Sequence, residues 1–203
     1  RFPPLMEKVR DILKNKEIGE VRTIQADFGF RPENIDPVGR LFNPDLAGGS
    51  LLDVGIYPIS LSFMINGTPE SFVTEWTKGR TGVDEQASMI FKYPNGSMAL
   101  LHSSIQADTR QEAFISGTEG SILIHKQCWK PQVMTITEWK TGNVRKIESP
   151  FIGNGFNYEI EHFSQLLLDG KKESPIMPLQ ESLSIISTLD KIRQRWDLRY
   201  PCD

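Results

Sequence analysis

Cysteine is scarce in this chain: Cys128 and Cys202 are the two among 203 residues. They make no disulfide framework, and the simplest compartment for such a chain is a reducing, cytoplasmic one. Histidine is almost as rare. His102 and His125 sit in strand-like stretches without a neighbouring acid or cysteine motif, and Glu159-x-x-His162 supplies only half the spacing of a di-metal site, so no metal is expected. No unbroken apolar run approaches the roughly 20 residues that span a bilayer, and no leader-like segment opens the chain. The net charge is −3 with lysine and arginine scattered, which gives no basic face for nucleic acid or an anionic membrane. A dinucleotide fingerprint is also missing: Gly153-Asn154-Gly155 continues as Phe156-Asn157-Tyr158, without the third glycine or a surrounding βαβ unit.

What remains is enough for one domain over residues 1–203. With 38% hydrophobic residues the chain can bury a single sizeable core. Pro3 and Pro4 open a helix with Leu5, Val9, Ile12 and Leu13 at helical spacing, ended by Asn15 and Gly19. From Val21 to Phe30 the period becomes two, with Ile24, Ala26, Phe28 and Phe30 on one face. Residues 31–47 read as a long functional loop, in which Arg31 and Arg40 are candidates for holding substrate hydroxyls or cofactor phosphate. Beyond Thr68, strands are expected near 71–78, 86–93, 97–106, 111–117, 121–126, 132–139 and 144–148, with a hairpin at Asn95-Gly96. Such spacing favours antiparallel pairing. Two helices, Phe156 to Asp169 and Leu179 to Trp196, are expected to cover one face through Ile160, Phe163 and Leu167 and through Leu183, Ile186, Leu189 and Ile192. The fold class is therefore α+β, a large, open, predominantly antiparallel sheet with helices on one side. Trp76, Met89, Phe91, Met98 and Leu100 are expected on its other side, where covering them calls for a homodimer.

The densest stretch is Gly48-Gly49-Ser50-Leu51-Leu52-Asp53-Val54-Gly55-Ile56-Tyr57-Pro58-Ile59. It predicts a double-glycine entry into a helix from about Ser50 to Ile65, stopped by Asn66-Gly67 and bent near Tyr57, because Pro58 has no N–H to give the Val54 carbonyl. Positions i and i+4 share a helix face, so Asp53 and Tyr57 form one platform, with Gly55 leaving room for a ligand. A phenol passes protons usefully only if its acidity is brought toward working pH; a nearby carboxylate opposes that, so a cation is needed as well. The structural alternative is a first-turn acid favoured by the helix dipole and a packing tyrosine.

These twelve residues, together with Ile18-Gly19-Glu20-Val21, Gly117-Thr118-Glu119-Gly120 and Arg199-Tyr200-Pro201-Cys202-Asp203, resemble the second domain of the glucose-fructose oxidoreductase / inositol dehydrogenase / rhizopine catabolism (Gfo/Idh/MocA) family. Ser50 replaces the third glycine of that family's motif. Tyr57 stands where many members have histidine, a form typical of the glucose-fructose oxidoreductase and dihydrodiol dehydrogenase branches. The resemblance implies that a Rossmann domain carrying an E-K-P lysine precedes this one, that the cofactor is NADP or NAD, and that these residues alone are an inactive fragment. It further implies Tyr57 as proton carrier, Asp53 as the group orienting either that phenol or the E-K-P lysine, dimerisation through the open sheet face, and Phe30, Trp129 and Phe156 as an apolar pocket wall. Such a wall favours a trans-dihydrodiol over a sugar such as xylose. An inositol or sugar dehydrogenase, and a non-catalytic dimerisation module, are the alternatives.

Overall fold

A computed structural model describes residues 1–201 and 203; Cys202, and with it one position of the C-terminal motif, lies outside the described residues. Helix α1 (Pro4–Lys14) starts on a proline whose fixed φ suits a first turn, and it buries Leu5, Met6, Val9 and Ile12. Strand β1 (Val21–Gly29) follows, and the chain then runs through a 3-10 turn (Pro44–Leu46), a π turn (Leu51–Gly55) and helix α2 (Ile56–Asn66). Seven strands come next: β2 (Ser71–Lys78), β3 (Asp84–Lys92), β4 (Met98–Ser104), β5 (Ala113–Gly117), β6 (Gly120–Ile124), β7 (Val133–Glu138) and β8 (Val144–Glu148). Helices α3 (Asn157–Leu168) and α4 (Leu179–Arg195) complete the chain.

All eight strands form one sheet in the order β2-β3-β4-β1-β5-β6-β7-β8. Two meanders flank β1, and every neighbouring pair is antiparallel except β1 and β4, which run parallel. The local turn signals foresaw the meanders but not this central insertion. The stretch Pro44–Asn66 contains an 18-residue window of mean hydropathy 1.3, apolar enough to cross a bilayer by length and composition, yet 61% of that window is buried inside the fold. It lies over β1, β3 and β4, with α4 packed beside it. Ile24, Met89, Phe91, Leu101, Ile115, Ile59 and Leu189 meet in the core between sheet and helices. Burying one such side chain stabilises the fold by about 1.5–3 kcal/mol.

Alternation along β3 corrects part of the expected open face. Met89 and Phe91 pair with Leu101 and Ala99 and lie under the helices. Trp76 is on the same side, stacked on Trp196 at 5.2 Å. Met98 and Leu100 do face outward, in register with a row that crosses all eight strands: Val73, Ile90, Leu100, Gln25, Phe114, Leu123, Thr135 and Lys146. The helix covers differ too. α4 buries Ile185, Thr188, Leu189 and Ile192 and leaves Leu183 and Ile186 outside, while α3 buries Leu166 and turns Ile160, Phe163 and Leu167 to solvent. Helical periodicity identifies an apolar stripe; it does not say whether the sheet lies beneath it.

Candidate active site

The site begins in the loop that delivers the two glycines. Gly48 N–H donates to the Asn43 carbonyl at 3.0 Å, Gly49 N–H to the Leu41 carbonyl at 2.9 Å, and the Tyr200 hydroxyl reaches back from the C-terminal segment to the Gly48 carbonyl at 2.6 Å. Gly49 adopts φ +121°, and a Cβ there would stand 2.2 Å from Asp84 Oδ1. Asp84, at the start of β3, accepts Ser50 Oγ–H at 2.8 Å and Leu51 N–H at 2.6 Å on Oδ2, while Ser50 Oγ lies 3.1 Å from Ser103 Oγ. Burial pushes the Asp84 carboxyl up to about 6, against the opposing effect of the hydrogen bonds from Ser50 and Leu51.

That displacement has a definite sign. A carboxyl titrating at about 6 when folded and near 3.8 otherwise contributes stability that is fully present below 3.8 and is lost as pH rises through 6. The loss reaches about 3 kcal/mol at neutral pH, at about 1.4 kcal/mol per pH unit of displacement. Urea melts of the wild type and Asp84→Asn should therefore diverge between pH 4 and pH 7.5, with the wild type falling relative to the variant; parallel curves would refute the assignment.

From Leu51 the chain does not enter an α-helix directly. It opens into the π turn, and α2 begins at Ile56. Gly55 is buried against Ser103, whose Oγ would lie 3.1 Å from an added Cβ; the glycine makes room for the sheet, not for a ligand. Tyr57, two residues on, is 44% exposed. Its ring stands edge-on to Phe28 at 5.3 Å and tilted to Trp129 at 6.1 Å, and Phe28 and Trp129 stack face to face at 3.6 Å. Phe28 is placed by the end of β1, which is clamped where Gln111 N–H donates to Asp27 Oδ2 at 2.8 Å and Gln111 Nε2 donates to the Gly29 carbonyl at 2.9 Å. Trp129 sits in a tight turn closed by Lys130 N–H to Gln127 O at 2.9 Å. Beside these rings, Met6, Ser60, Leu61, Met64 and Cys128 border a cavity of about 90 Å³. Burial pushes the Cys128 thiol up to about 12, with Asp27 adding to the effect, so it stays protonated.

Asp53 forms an ion pair with Arg40. Among the described residues the Tyr57 hydroxyl makes no hydrogen bond to Asp53, so the expected orienting contact gives way to charge neutralisation by arginine. Arg31 donates instead to the Gln106 carbonyl at 3.2 Å. Phe30 lies 6.3 Å from Phe28 and packs toward Phe42, Val54 and Ile105. Phe156 is 61% exposed just before α3, and none of its ring contacts involves Tyr57, Phe28 or Trp129. In the Glu159-x-x-His162 pair, His162 Nε2 lies 2.8 Å from Ser174 Oγ. Sequence reading passed over Phe28 as a site residue although it named the residue on the correct strand face. Tyr200 stands in the C-terminal motif that carries the family resemblance, without a site role assigned to it, and Asp84 has no local sequence signal.

Tyr57 thus sets an exposed phenol against a flat aromatic wall, while four residues earlier Asp53 is neutralised by Arg40; a phenol so placed can move a proton on an oxygen held against apolar surface. Comparison with known proteins identifies the family and the fold. The GFO/IDH/MocA C-terminal domain matches residues 6–123. Trans-1,2-dihydrobenzene-1,2-diol dehydrogenase of Xenopus tropicalis is 38% identical over 211 residues, covering 99% of this chain and 62% of that protein. The Homo sapiens protein of the same name is 31% identical over 209 residues, covering 100% and 62%. Among solved structures, an aldose-aldose oxidoreductase from Caulobacter crescentus complexed with glycerol superposes with a TM-score of 0.82 at 23% identity, over 96% of this chain and 58% of that one. A 3-ketoreductase from Actinomadura kijaniata in complex with NADP and TDP-benzene gives 0.79 at 25% identity, over 95% and 59%. The chain thus spans 62% of the length of the curated relatives it matches.

Proposed function

The chain belongs to the Gfo/Idh/MocA family of oxidoreductases, and we propose that it is the substrate-binding and dimerising domain of an NAD(P)-dependent dehydrogenase that oxidises a secondary alcohol, with an aromatic trans-dihydrodiol as the favoured substrate class. The observation that carries this reading is the Tyr57–Phe28–Trp129 cluster. A stacked pair of rings rewards flat apolar area, whereas the hydroxyls of a free sugar pressed against it would go unpaired.

The cofactor fits this chain at one end only. The aromatic wall beside the phenol suits a nicotinamide ring, but among the described residues there is no strand–glycine turn–helix unit to cradle the phosphates, so that grip falls to a Rossmann domain outside these 203 residues. When bound, the nicotinamide supplies the hydride chemistry. Tyr57 holds the substrate hydroxyl and carries its proton on Oη, helped by the E-K-P lysine that the family resemblance implies. Arg40 offsets the Asp53 charge beside it, and Phe28 and Trp129 exclude water from the reacting carbon.

Two expectations follow. Alone, the 203-residue chain does not turn over; joined to a family Rossmann domain, it oxidises an aromatic dihydrodiol with NADP or NAD faster than it oxidises xylose. Turnover of the pentose without the diol would overturn the substrate class, and inertness with both would leave a binding module. Separately, the exposed row through Val73, Ile90, Leu100 and Phe114 covers itself in a homodimer. Leu100→Glu should convert a dimer in light scattering to a monomer, because a desolvated carboxylate on a two-fold face is costly; an unchanged mass would exclude this face.

A further inference from the structure

Among the described residues Asp84 is a buried carboxyl with no ion-pair partner, and its Oδ1, approached only by the backbone N–H groups of Ser50 and Asp84 itself, makes no hydrogen bond of ordinary geometry. Buried polar groups are nearly always satisfied, so an orphan of this kind in the middle of a packed domain calls for an explanation. Its other oxygen does the holding. Ser50 Oγ–H and Leu51 N–H both donate to Oδ2, which ties the first residues of the helical stretch to the start of β3. The far end of the same turn packs closely on the neighbouring strand, where a Cβ on Gly55 would lie 3.1 Å from Ser103 Oγ of β4, and Ser50 Oγ links the two ends at 3.1 Å from Ser103 Oγ. β3 and β4 are locked in register there, Ala87 opposite Ser103, so the sheet fixes the distance between the two ends. The π turn Leu51–Gly55 is the span between them. A π turn carries one more residue per hydrogen-bonded ring than an α turn, is rare, and recurs at functional sites.

We propose that Asp84 is a positioning residue for Tyr57: by gripping Ser50 and Leu51 from the sheet side it holds the turn at π pitch, and that pitch sets the direction in which the phenol leaves α2 toward Phe28 and Trp129. With the grip released, the turn relaxes toward α geometry and rotates every later residue of the helix about its axis, Tyr57 first. The consequence for catalysis rests on the role given to Tyr57 above; the structural effect does not.

The test uses the 203-residue chain, isotopically labelled, with amide exchange and the Tyr57 ring resonances read by NMR. In Asp84→Ala, the amides of residues 51–57 should exchange at least about tenfold faster, the size expected for losing hydrogen bonds to a charged acceptor, while those of β5 to β7 keep their wild-type rates. The Tyr57 ring signals should move, because Phe28 and Trp129 shift nearby resonances. Asp84→Asn, whose carbonyl oxygen accepts the same two bonds, should bring both readouts back to within about threefold of wild type. Even acceleration over the whole sheet, or unmoved Tyr57 signals in Asp84→Ala, would overturn the proposal by showing a merely structural role. Should Asp84→Ala fail to fold, Ser50→Ala decides alone: faster exchange confined to 51–57 supports the grip, and unchanged exchange refutes it. In the enzyme joined to its Rossmann domain, Asp84→Ala should lower kcat with little change in KM. An enzyme inactive in every form would count against the dehydrogenase reading and leave the exchange result standing.

Discussion

Tyr57→Phe, made in the enzyme that carries this domain, should lower kcat by about 10²- to 10⁴-fold, the range for removing a positioned proton carrier, or about 3–5 kcal/mol of transition-state stabilisation. The ring survives the change, and with it the edge contact to Phe28 and the tilted contact to Trp129, so substrate affinity should barely move. That split matters. A substitution that raised KM and spared kcat would mark Tyr57 as a wall of the pocket, because uniform binding is then what was lost. Steady-state kinetics that read kcat and KM separately make the check complete. A phenylalanine enzyme within about threefold of wild type in kcat would end the assignment.

The second large effect is on stability. Gly49 sits at φ +121°, where a side chain is strained, and a methyl group there would meet Asp84 Oδ1 at 2.2 Å. The carboxylate cannot swing away cheaply, since Ser50 and Leu51 hold it. Gly49→Ala should thus combine about 1–3 kcal/mol of backbone strain with about 1.5–3 kcal/mol from the disturbed charged hydrogen bonds, a large share of the 5–15 kcal/mol that keeps an ordinary domain folded. Gly67→Ala supplies the comparison. That glycine has φ +73° and ψ −150° and nothing within 4 Å of an added Cβ, so it reports backbone strain alone, about 1–3 kcal/mol. Denaturant midpoints for the two variants should differ by about 1.5–3 kcal/mol in the derived stability; equal values would show that Asp84 yields to the new methyl group.

The strands were legible because period-two alternation and turn residues such as Asn95-Gly96 mark them locally. The strand order was only partly so. Nothing near Val21 says that it will pair parallel with a segment beginning at Met98, since that choice is made by packing across the whole sheet. The two faces of β3 were ambiguous for a different reason: Met89, Ile90 and Phe91 are all apolar, and alternation cannot rank sides that are equally hydrophobic. At the site, the Asp53–Tyr57 spacing and the loop arginine Arg40 were visible, but their geometry was not. The π turn alters the helical count between them, and Arg40 proves to be the partner of Asp53. Phe30 entered the expected pocket wall through the family resemblance; the strand ends at Gly29, and beyond it Phe30 joins Phe42, Val54 and Ile105.

The parallel placement of β1 bears on how the chain reaches this state. Ile24 must find both Ala99 and Ile115, residues far downstream, before the centre of the sheet exists. β2 to β4 and β5 to β8 can each zip up as local hairpins, but their inner edges then wait for a strand synthesised earlier than either. High contact order of this kind slows folding and prolongs the life of half-assembled species with open strand edges. Substitutions that weaken the seam along β1 should therefore show themselves first in slower refolding and poorer recovery from denaturant, ahead of any change in the finished molecule's chemistry.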